Sequence, residues 1–285
     1  MSAHVTEPPR RPEHPQVRTR LRPRAGATRL GATARSEWIK LWSVRSAPAA
    51  LAAAVLVVVV GGFVLGAGYR SGWASLSPGD RRSFDPTFTS LRGVQLAQLF
   101  VGSLGVLALT GEYATGLIRT TLAATPQRAQ VLAVKALVLG LVVWALCTAA
   151  SFAAFAIGQS QFTGPVPHAS PGGPGVLRAV LGGGIFLTLV VLFGMALGAL
   201  TRSTPLGLAS LFGVLLVLPV AVQLLPGSVG ERVDPYLPGE AGSQLWRVVP
   251  PSPHSLAPWT GAGLFALYVA VAAGAALVLV RRRDV

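Results

Sequence analysis

Six long stretches of this chain contain no charged residue, and they constrain the fold more than any other feature. Each stretch is 19 to 23 residues long. A helix needs about 20 apolar residues to cross the hydrocarbon core of a bilayer, and it satisfies its own backbone hydrogen bonds there. The sequence therefore predicts six transmembrane helices, at about residues 47–68, 93–111, 136–158, 179–201, 203–225 and 258–280.

The composition agrees with a membrane protein. Of the 285 residues 52% are hydrophobic and only 12% are charged, and the mean hydropathy is +0.58. Soluble domains carry about twice that share of charged residues. The apolar stretches do not alternate with polar residues as the strands of a membrane barrel do. We therefore expect an all-α integral membrane protein with six transmembrane helices.

The basic residues are distributed unequally between the predicted loops. With the N-terminus in the cytoplasm, 17 of the 24 lysines and arginines fall on the cytoplasmic side and 7 on the outer side. An excess of Lys and Arg on the cytoplasmic side sets the orientation of a membrane protein. We predict a multi-pass protein of the plasma membrane with both termini in the cytoplasm. The net charge of +14 then indicates contact with anionic membrane lipids rather than with nucleic acid.

The chain divides into an arm and one membrane domain. Residues 1–28 are rich in proline and arginine and lack apolar residues for a core, so we expect a disordered cytoplasmic arm there. Residues 29–285 form the transmembrane domain. None of the predicted outer loops, at 69–92, 159–178 and 226–257, is long enough for a separate domain. The loop at 226–257 is expected to hold one short interfacial turn in its middle.

An amphipathic helix is predicted just before the first span, over residues 29–45. Trp38, Trp42 and Arg45 follow helical spacing, whereas Glu37 and Lys40 lie mostly on other faces of the helix. Such a helix lies in the membrane interface with its tryptophans toward the lipid. Simple anchoring beside the membrane and a role in coupling are both compatible with this pattern.

No motif for chemistry is present in the sequence. The chain has no Gly-x4-Gly-Lys-Ser/Thr phosphate-binding loop, no nucleophile elbow and no His/Cys cluster with the spacing of metal ligands. The predicted spans also lack the Asp, Glu, Lys, Arg and His residues that intramembrane enzymes and ion-coupled carriers use at depth. We therefore predict a protein that is not an enzyme and that itself binds neither a metal nor a cofactor.

One polar segment, residues 111–128, interrupts the apolar pattern between the second and third spans. If it is helical, Glu112 and Arg119 share a face, and Glu112 can pair with a nearby basic group. Pro126 ends that helix and starts the next one, with Thr125 before it as the N-cap. Lys135 then lies two turns into the next helix, where it could reach the interface. An ordinary polar turn would account for the same residues.

The segment resembles part of a known family, the permease subunits of ABC-2 type transporters, in the branch found in actinobacteria. The stretch from Glu112 to Leu122, with Gly116 and Arg119 inside it, is its most specific part. The resemblance covers about residues 35–285, and the stretches that carry it are residues 93–99, 110–128, 131–135, 36–45, 236–238 and 281–284.

The resemblance implies an ABC-2 type transmembrane domain that pairs with a second permease copy, as a homodimer or with a paralogue. It also implies a separate ATPase subunit that holds ATP and Mg and rests on a coupling helix between spans two and three. The residues of this chain that match the contact and relay segment are Glu112, Tyr113, Gly116, Arg119, Thr120, Pro126 and Arg128. The opening 36–45 matches the family's N-terminal elbow.

Because most permeases of this family are exporters, the resemblance implies outward transport of a drug-like, peptide or lipid-like substrate. Gln95 and Gln98 in the second span would suit a cavity for an amphiphile, although glutamines there can equally join helices by hydrogen bonds. A scaffold or immunity-type protein of the same fold, which moves nothing, remains the alternative function.

Overall fold

In a computed structural model, which describes residues 26–114, 128–225 and 229–282, every regular element is helical. Six helices are long and apolar enough to cross a membrane, which indicates a multi-pass membrane protein. The main helices are α1 (Gly26–Ser43), α2 (Ser46–Gly72), α3 (Pro78–Arg82), α4 (Pro86–Leu91), α5 (Gly93–Ala114), α6 (Arg128–Gln161), α7 (Val176–Thr201), α8 (Thr204–Phe212), α9 (Leu218–Gln223), α10 (Val229–Val233), α11 (Pro238–Ser243) and α12 (Pro258–Arg282).

The bundle has two ends, which we name by what they carry. The α1 end holds α1, the end of α5 and the beginning of α6. The loop end holds the connections that follow α2, α6 and α9, including short 3₁₀ turns at Trp73–Ser75, Asp234–Tyr236 and Gln244–Trp246.

Helix α7 forms the centre of the bundle. It packs against α5, α6, α8 and α12, while α2 packs on α5 and α6 on the opposite side. In its most apolar window 67% of α7 is buried, against 22% for α12 and 28% for α2. The outer helices therefore turn most of their apolar surface outward, as expected where lipid tails replace water.

Small residues at spacing four allow some of these helices to approach closely. A Cβ added at Gly62 of α2 would lie 2.7 Å from the carbonyl oxygen of Ala154 in α6, and Gly194 of α7 lies against Gly102 of α5. The similar pair Ala270 and Gly274 does not pack in this way, because nothing lies within 4 Å of a Cβ added at Gly274. Small residues four positions apart therefore lie at close helix contacts in α2 and α7 but not in α12.

The fifth span is continuous but irregular. Helices α8 and α9 are joined by one π-helical turn, Gly213–Val217, in which the N–H of Leu218 reaches back to the carbonyl of Gly213. Pro219, which has no N–H to donate, follows directly. A π turn is a common way to accommodate such a break in the hydrogen-bond ladder. Pro219 is therefore accommodated inside the predicted span without ending it.

The predicted loop between spans one and two is more helical than expected. We predicted a loop at 69–92, but α2 continues to Gly72, and α4 begins at Pro86 and leads directly into α5. Asp85 explains the early start, because its Oδ1 accepts a hydrogen bond from the N–H of Phe88 (2.9 Å) and caps α4. Aspartate before proline is a common start of a helix.

The connection 226–257 was expected to hold one interfacial turn. Among its described residues, α11 and the turn Gln244–Trp246 are instead mostly buried against the ends of α7 and α12. Trp246 is fully buried and stacks on Phe88 with ring centroids 5.0 Å apart. Residues 237–246 of the connection therefore close the loop end of the bundle.

Candidate functional site

Four charged side chains from three helices meet at the α1 end. Lys135 of α6 contacts Glu37 of α1 at 2.7 Å and Glu112 of α5 at 2.8 Å. Lys40 of α1 contacts the same two carboxylates, Glu37 at 2.7 Å and Glu112 at 3.4 Å. Two acids and two bases thus alternate around a ring, which we call the ion-pair network.

The members of the network differ in exposure. The side chains of Glu37, Lys135 and Glu112 are 5%, 10% and 15% exposed, whereas that of Lys40 is 39% exposed. A buried charge is tolerated only where partners of opposite charge and hydrogen bonds replace water. The alternation supplies such partners to the three buried members, and Lys40 closes the ring toward the surface.

The partners also fix the charge states on α1. Burial alone would raise the pKa of Glu37, but the attraction and hydrogen bonds of Lys135 and Lys40 outweigh it and lower that pKa below its ordinary value. Burial would lower the pKa of Lys40, but Glu37 and Glu112 raise it. Both side chains are therefore charged at neutral pH.

The network joins the elements that flank the polar segment between α5 and α6. Glu112 lies in the last turn of α5, which continues to Ala114, and Lys135 lies two turns into α6, which is present from Arg128. Because Glu37 pairs with Lys135, α1 is fixed to the same place. The ion pairs therefore join α1 to both flanks of the segment.

The structure confirms the expected pairing of Glu112 with a base, and it identifies the bases as Lys135 and Lys40. It places Lys135 differently from our expectation. We expected that side chain to extend to the interface, but it is buried and turned toward Glu37. The reason is that two carboxylates are available to it inside the bundle.

Tyr113 follows Glu112 at the end of α5 and meets a residue that the sequence did not single out. The guanidinium of Arg202 lies 5.4 Å from the centre of the Tyr113 ring, a cation–π distance. Arg202 ends α7 in the left-handed region, with a φ of 52°, and its N–H bonds the carbonyl of Gly198. A residue in this conformation ends a helix sharply, so α8 begins two residues later.

The remaining residues predicted for the coupling segment are Gly116, Arg119, Thr120 and Pro126, and they lie outside the described residues. Arg128 begins α6. The contacts that the structure describes around the predicted coupling segment are therefore those of its two flanks. Glu112 and Tyr113 lie on one flank, and Lys135 lies on the other.

Helix α1 presents two different faces. Trp38 and Trp42 are 49% and 45% exposed and meet edge to face, with ring centroids 5.7 Å apart. Arg45 is also exposed. Glu37 is turned the other way, into the bundle. The sequence pattern separated the two groups correctly, but it gave no indication that the charged face is the one packed on α6.

The two glutamines of the second span lie in different surroundings. Gln98 is 2% exposed, and its Oε1 has no hydrogen-bond partner within the described part of the chain. Gln95 is half-buried. Neither side chain lines the two cavities described below, so their assignment to a cavity stays a prediction.

Two cavities lie in the half of the bundle toward α1. The first, of about 430 Å³, is enclosed by α1, α2, α5 and α6 and has the ion-pair network at one end. The second, of about 210 Å³, lies between α5, α6, α7 and α12 and is lined by apolar side chains such as Leu109, Met195 and Val269. Among the described residues, no three His, Cys, Asp or Glu side chains are grouped so as to hold a metal ion.

Sequence reasoning missed the polar contacts that hold the loop end. Asp85 accepts hydrogen bonds from the N–H groups of Val248 (3.0 Å) and Val249 (2.9 Å), besides capping α4. Arg178 donates to the carbonyls of Leu245 (2.8 Å) and Arg247 (3.0 Å). Only Asp85 had a sequence signal, as the aspartate before Pro86.

The loop end also contains one partly buried ion pair. Arg247 contacts Glu240 at 3.4 Å, and its guanidinium lies 4.7 Å from the centre of the Phe88 ring. Burial raises the pKa of Glu240 above its ordinary value despite the attraction of Arg247. Burial likewise lowers the pKa of Arg247, against the opposing effect of Glu240.

The comparisons with known proteins leave the family open. The chain matches no family model, no curated protein and no solved structure.

Proposed function

We propose that this chain is the permease subunit of an ATP-driven transporter of the ABC-2 type, paired with a second permease copy and with a separate ATPase. The observation that supports the proposal best is the ion-pair network at the α1 end. In this proposal the α1 end faces the cytoplasm, and the ATPase contacts the segment between α5 and α6.

The network supports this function because of the elements that it joins. Glu112 and Lys135 flank the proposed contact segment on both sides, and Glu37 ties both of them to α1. A force applied to the segment would therefore reach α1, α5 and α6 together. Ion pairs between side chains can also exchange partners without breaking backbone hydrogen bonds, as a transporter that alternates between two states requires.

The proposed substrate is an amphiphile, exported as a drug-like, peptide or lipid-like compound. The bundle supports this class by its largely apolar interior, in which the polar side chain of Gln98 is buried in the first half of α5. ATP and Mg would be held by the partner subunit.

The first test concerns the partner. The tagged chain is isolated from the membranes of cells that naturally produce it, and the co-isolated ATP hydrolysis is measured. We expect Arg119→Glu to remove the ATPase, since it reverses a charge in the contact segment. Arg82→Glu, an exposed arginine at the loop end, is the matched control and should retain the ATPase. Equal ATPase with both variants would contradict the assigned contact.

The second test concerns transport. Vesicles that contain the isolated complex are given ATP and a set of fluorescent amphiphiles, and movement of each dye is measured. We expect movement that depends on ATP, and Lys135→Met should reduce movement more than it reduces bound ATPase. A bound ATPase with no dye moved, and with hydrolysis that does not respond to any amphiphile, would favour the scaffold function.

A further inference from the structure

The larger cavity at the α1 end changes in character along its length. Its charged end is formed by the ion-pair network. Its other end is formed by apolar side chains of α5 and α6, among them Leu104, Ala108 and Leu139. From Glu112 to Leu104 the cavity extends about 12 Å along α5, at 1.5 Å per residue. A cavity of about 430 Å³ has the size of a pocket for a small ligand.

The cavity opens between exposed apolar side chains. Leu104 and Leu139 at its floor are each 3% exposed, whereas Leu107 and Val44 at its rim are 37% and 55% exposed. Leu107 lies in a helix that is long and apolar enough to cross a membrane. The molecules that reach an apolar rim at this depth are lipid tails.

The charges at the other end select the headgroup. Lys40 is the most exposed member of the network at 39%, while the carboxylates of Glu37 and Glu112 are 5% and 15% exposed and already contact ammonium groups. The two acids and two bases of the network balance in charge, and Lys40 is the member that an approaching headgroup meets first. Arg35 on the same helix and Arg45, two residues after its end, are exposed as well, so the basic residues at this end outnumber these two carboxylates. No exposed carboxylate among these residues is available for a cationic headgroup.

We infer that this cavity binds one anionic glycerophospholipid, with the phosphate at Lys40 and one acyl chain between α2, α5 and α6. Basic groups near a membrane surface attract anionic headgroups, and the apolar part of the cavity accepts the chain. A lipid at this position would contact both α1 and the helices that α1 is paired with. This inference does not rest on the proposed transport function.

The test uses the full chain in nanodiscs that contain equal amounts of dioleoyl phosphatidylglycerol and dioleoyl phosphatidylethanolamine. After detergent extraction, native mass spectrometry counts the lipids that each protomer retains. We expect one retained lipid, with phosphatidylglycerol enriched about fivefold, a modest preference in free energy. Inorganic phosphate added in excess should not displace it, because the acyl chain contributes to binding. Displacement by phosphate, or enrichment of phosphatidylethanolamine, would overturn the inference.

Two variants test the acyl-chain part of the cavity. Ala108→Phe fills the apolar end, and Leu107→Trp covers the rim, so that one informative variant remains if the other does not fold. Both should lose the retained lipid. Ala270→Phe, an exposed alanine of α12 outside the cavity, is the matched control and should keep it. Retention of the lipid by a folded Ala108→Phe or Leu107→Trp would contradict the assigned position.

One further variant tests the headgroup part. Lys40→Gln should retain a lipid but bind the two lipid types about equally, since the exposed ammonium is gone. Arg35→Gln, which removes an exposed charge of the same helix outside the cavity lining, should keep the preference for phosphatidylglycerol. An unchanged preference in Lys40→Gln would overturn the role of Lys40.

Discussion

The two ends of the bundle are held by different kinds of polar contact. At the α1 end, Glu37 and Lys135 belong to a ring of contacts between side chains. At the loop end, Asp85 and Arg178 bond to backbone groups of the connection that follows α11. Contacts between side chains can change partners while the helices stay intact, whereas the loss of a contact to the backbone leaves a buried peptide group without a partner. The difference indicates a fixed loop end and an α1 end that can rearrange.

The largest effect should come from breaking the loop end at Asp85. Asp85→Ala removes the acceptor of three backbone N–H groups, those of Phe88, Val248 and Val249. We expect a loss of about 4 kcal/mol in the free energy of unfolding, since each buried donor left unpaired costs about 1–3 kcal/mol. Thermal unfolding in detergent measures it.

Asp80→Ala is the matched control for this prediction, because Asp80 is an exposed carboxylate in the same connection. We expect a change of less than about 0.5 kcal/mol for this surface position. Similar losses for Asp80→Ala and Asp85→Ala would remove the distinction between a fixed loop end and the rest of the surface.

The second-largest loss of stability should come from breaking the ion-pair network at the α1 end. Lys135→Met removes a base that contacts both Glu37 and Glu112, and we expect a loss of about 3 kcal/mol in the free energy of unfolding. Combined with Glu37→Gln, the loss should be smaller than the sum of the two single losses by about 1–3 kcal/mol, because the two side chains are in contact.

A second double-mutant cycle sharpens the comparison between the ends. Glu240→Gln and Arg247→Met should show a coupling below about 1 kcal/mol, since their charges are 3.4 Å apart and Glu37 and Lys135 are 2.7 Å apart. A coupling at the loop end as large as that at the α1 end would show that both ends depend equally on ion pairs.

The smallest expected effect is a change in how folding stability depends on pH, through Glu240 and Glu37. The pKa of folded Glu240 is raised above 4.5, so its protonated form favours folding, and stability is lost as the pH rises through the interval that begins at 4.5. The pKa of folded Glu37 is lowered, so its contribution is present above 4.5 and is lost as the pH falls below it.

The measurement is the melting temperature of each variant relative to the unsubstituted chain, taken across the pH range. The stability advantage of the unsubstituted chain over Glu240→Gln should decrease above pH 4.5, and its advantage over Glu37→Gln should decrease below it. Parallel curves for the unsubstituted chain and either variant would contradict the corresponding direction.

The six spans could be predicted from the sequence because an uncharged stretch of about 20 residues has few other stable environments. The ion-pair network could be predicted only in part. The pattern indicated that Glu112 pairs with a base, but Glu37 and Lys135 are far apart in sequence, and no helical period relates them. Their contact depends on how α1 packs on α6, which the amphipathic pattern of α1 does not specify.

The loop end was predicted least well, for a different reason. The connection around α11 is rich in proline and glycine, a composition typical of surface turns. Its burial depends on carbonyl groups that Arg178 satisfies from α7 and on glycines such as Gly182, which admits the backbone of Leu245 closely. These partners lie in other helices, so a local composition cannot indicate them.

The length of α6 has one more consequence. Its 34 residues extend about 51 Å, well beyond a hydrocarbon core of about 30 Å. Lys135 near its beginning and Gln159 near its end are about 36 Å apart along the axis, and Gln159 bonds both Pro86 and Ala169 at the loop end. One continuous helix therefore carries both a member of the ion-pair network and a residue bonded to the fixed loop end, so the α1 end rearranges around a helix that is anchored at its far end.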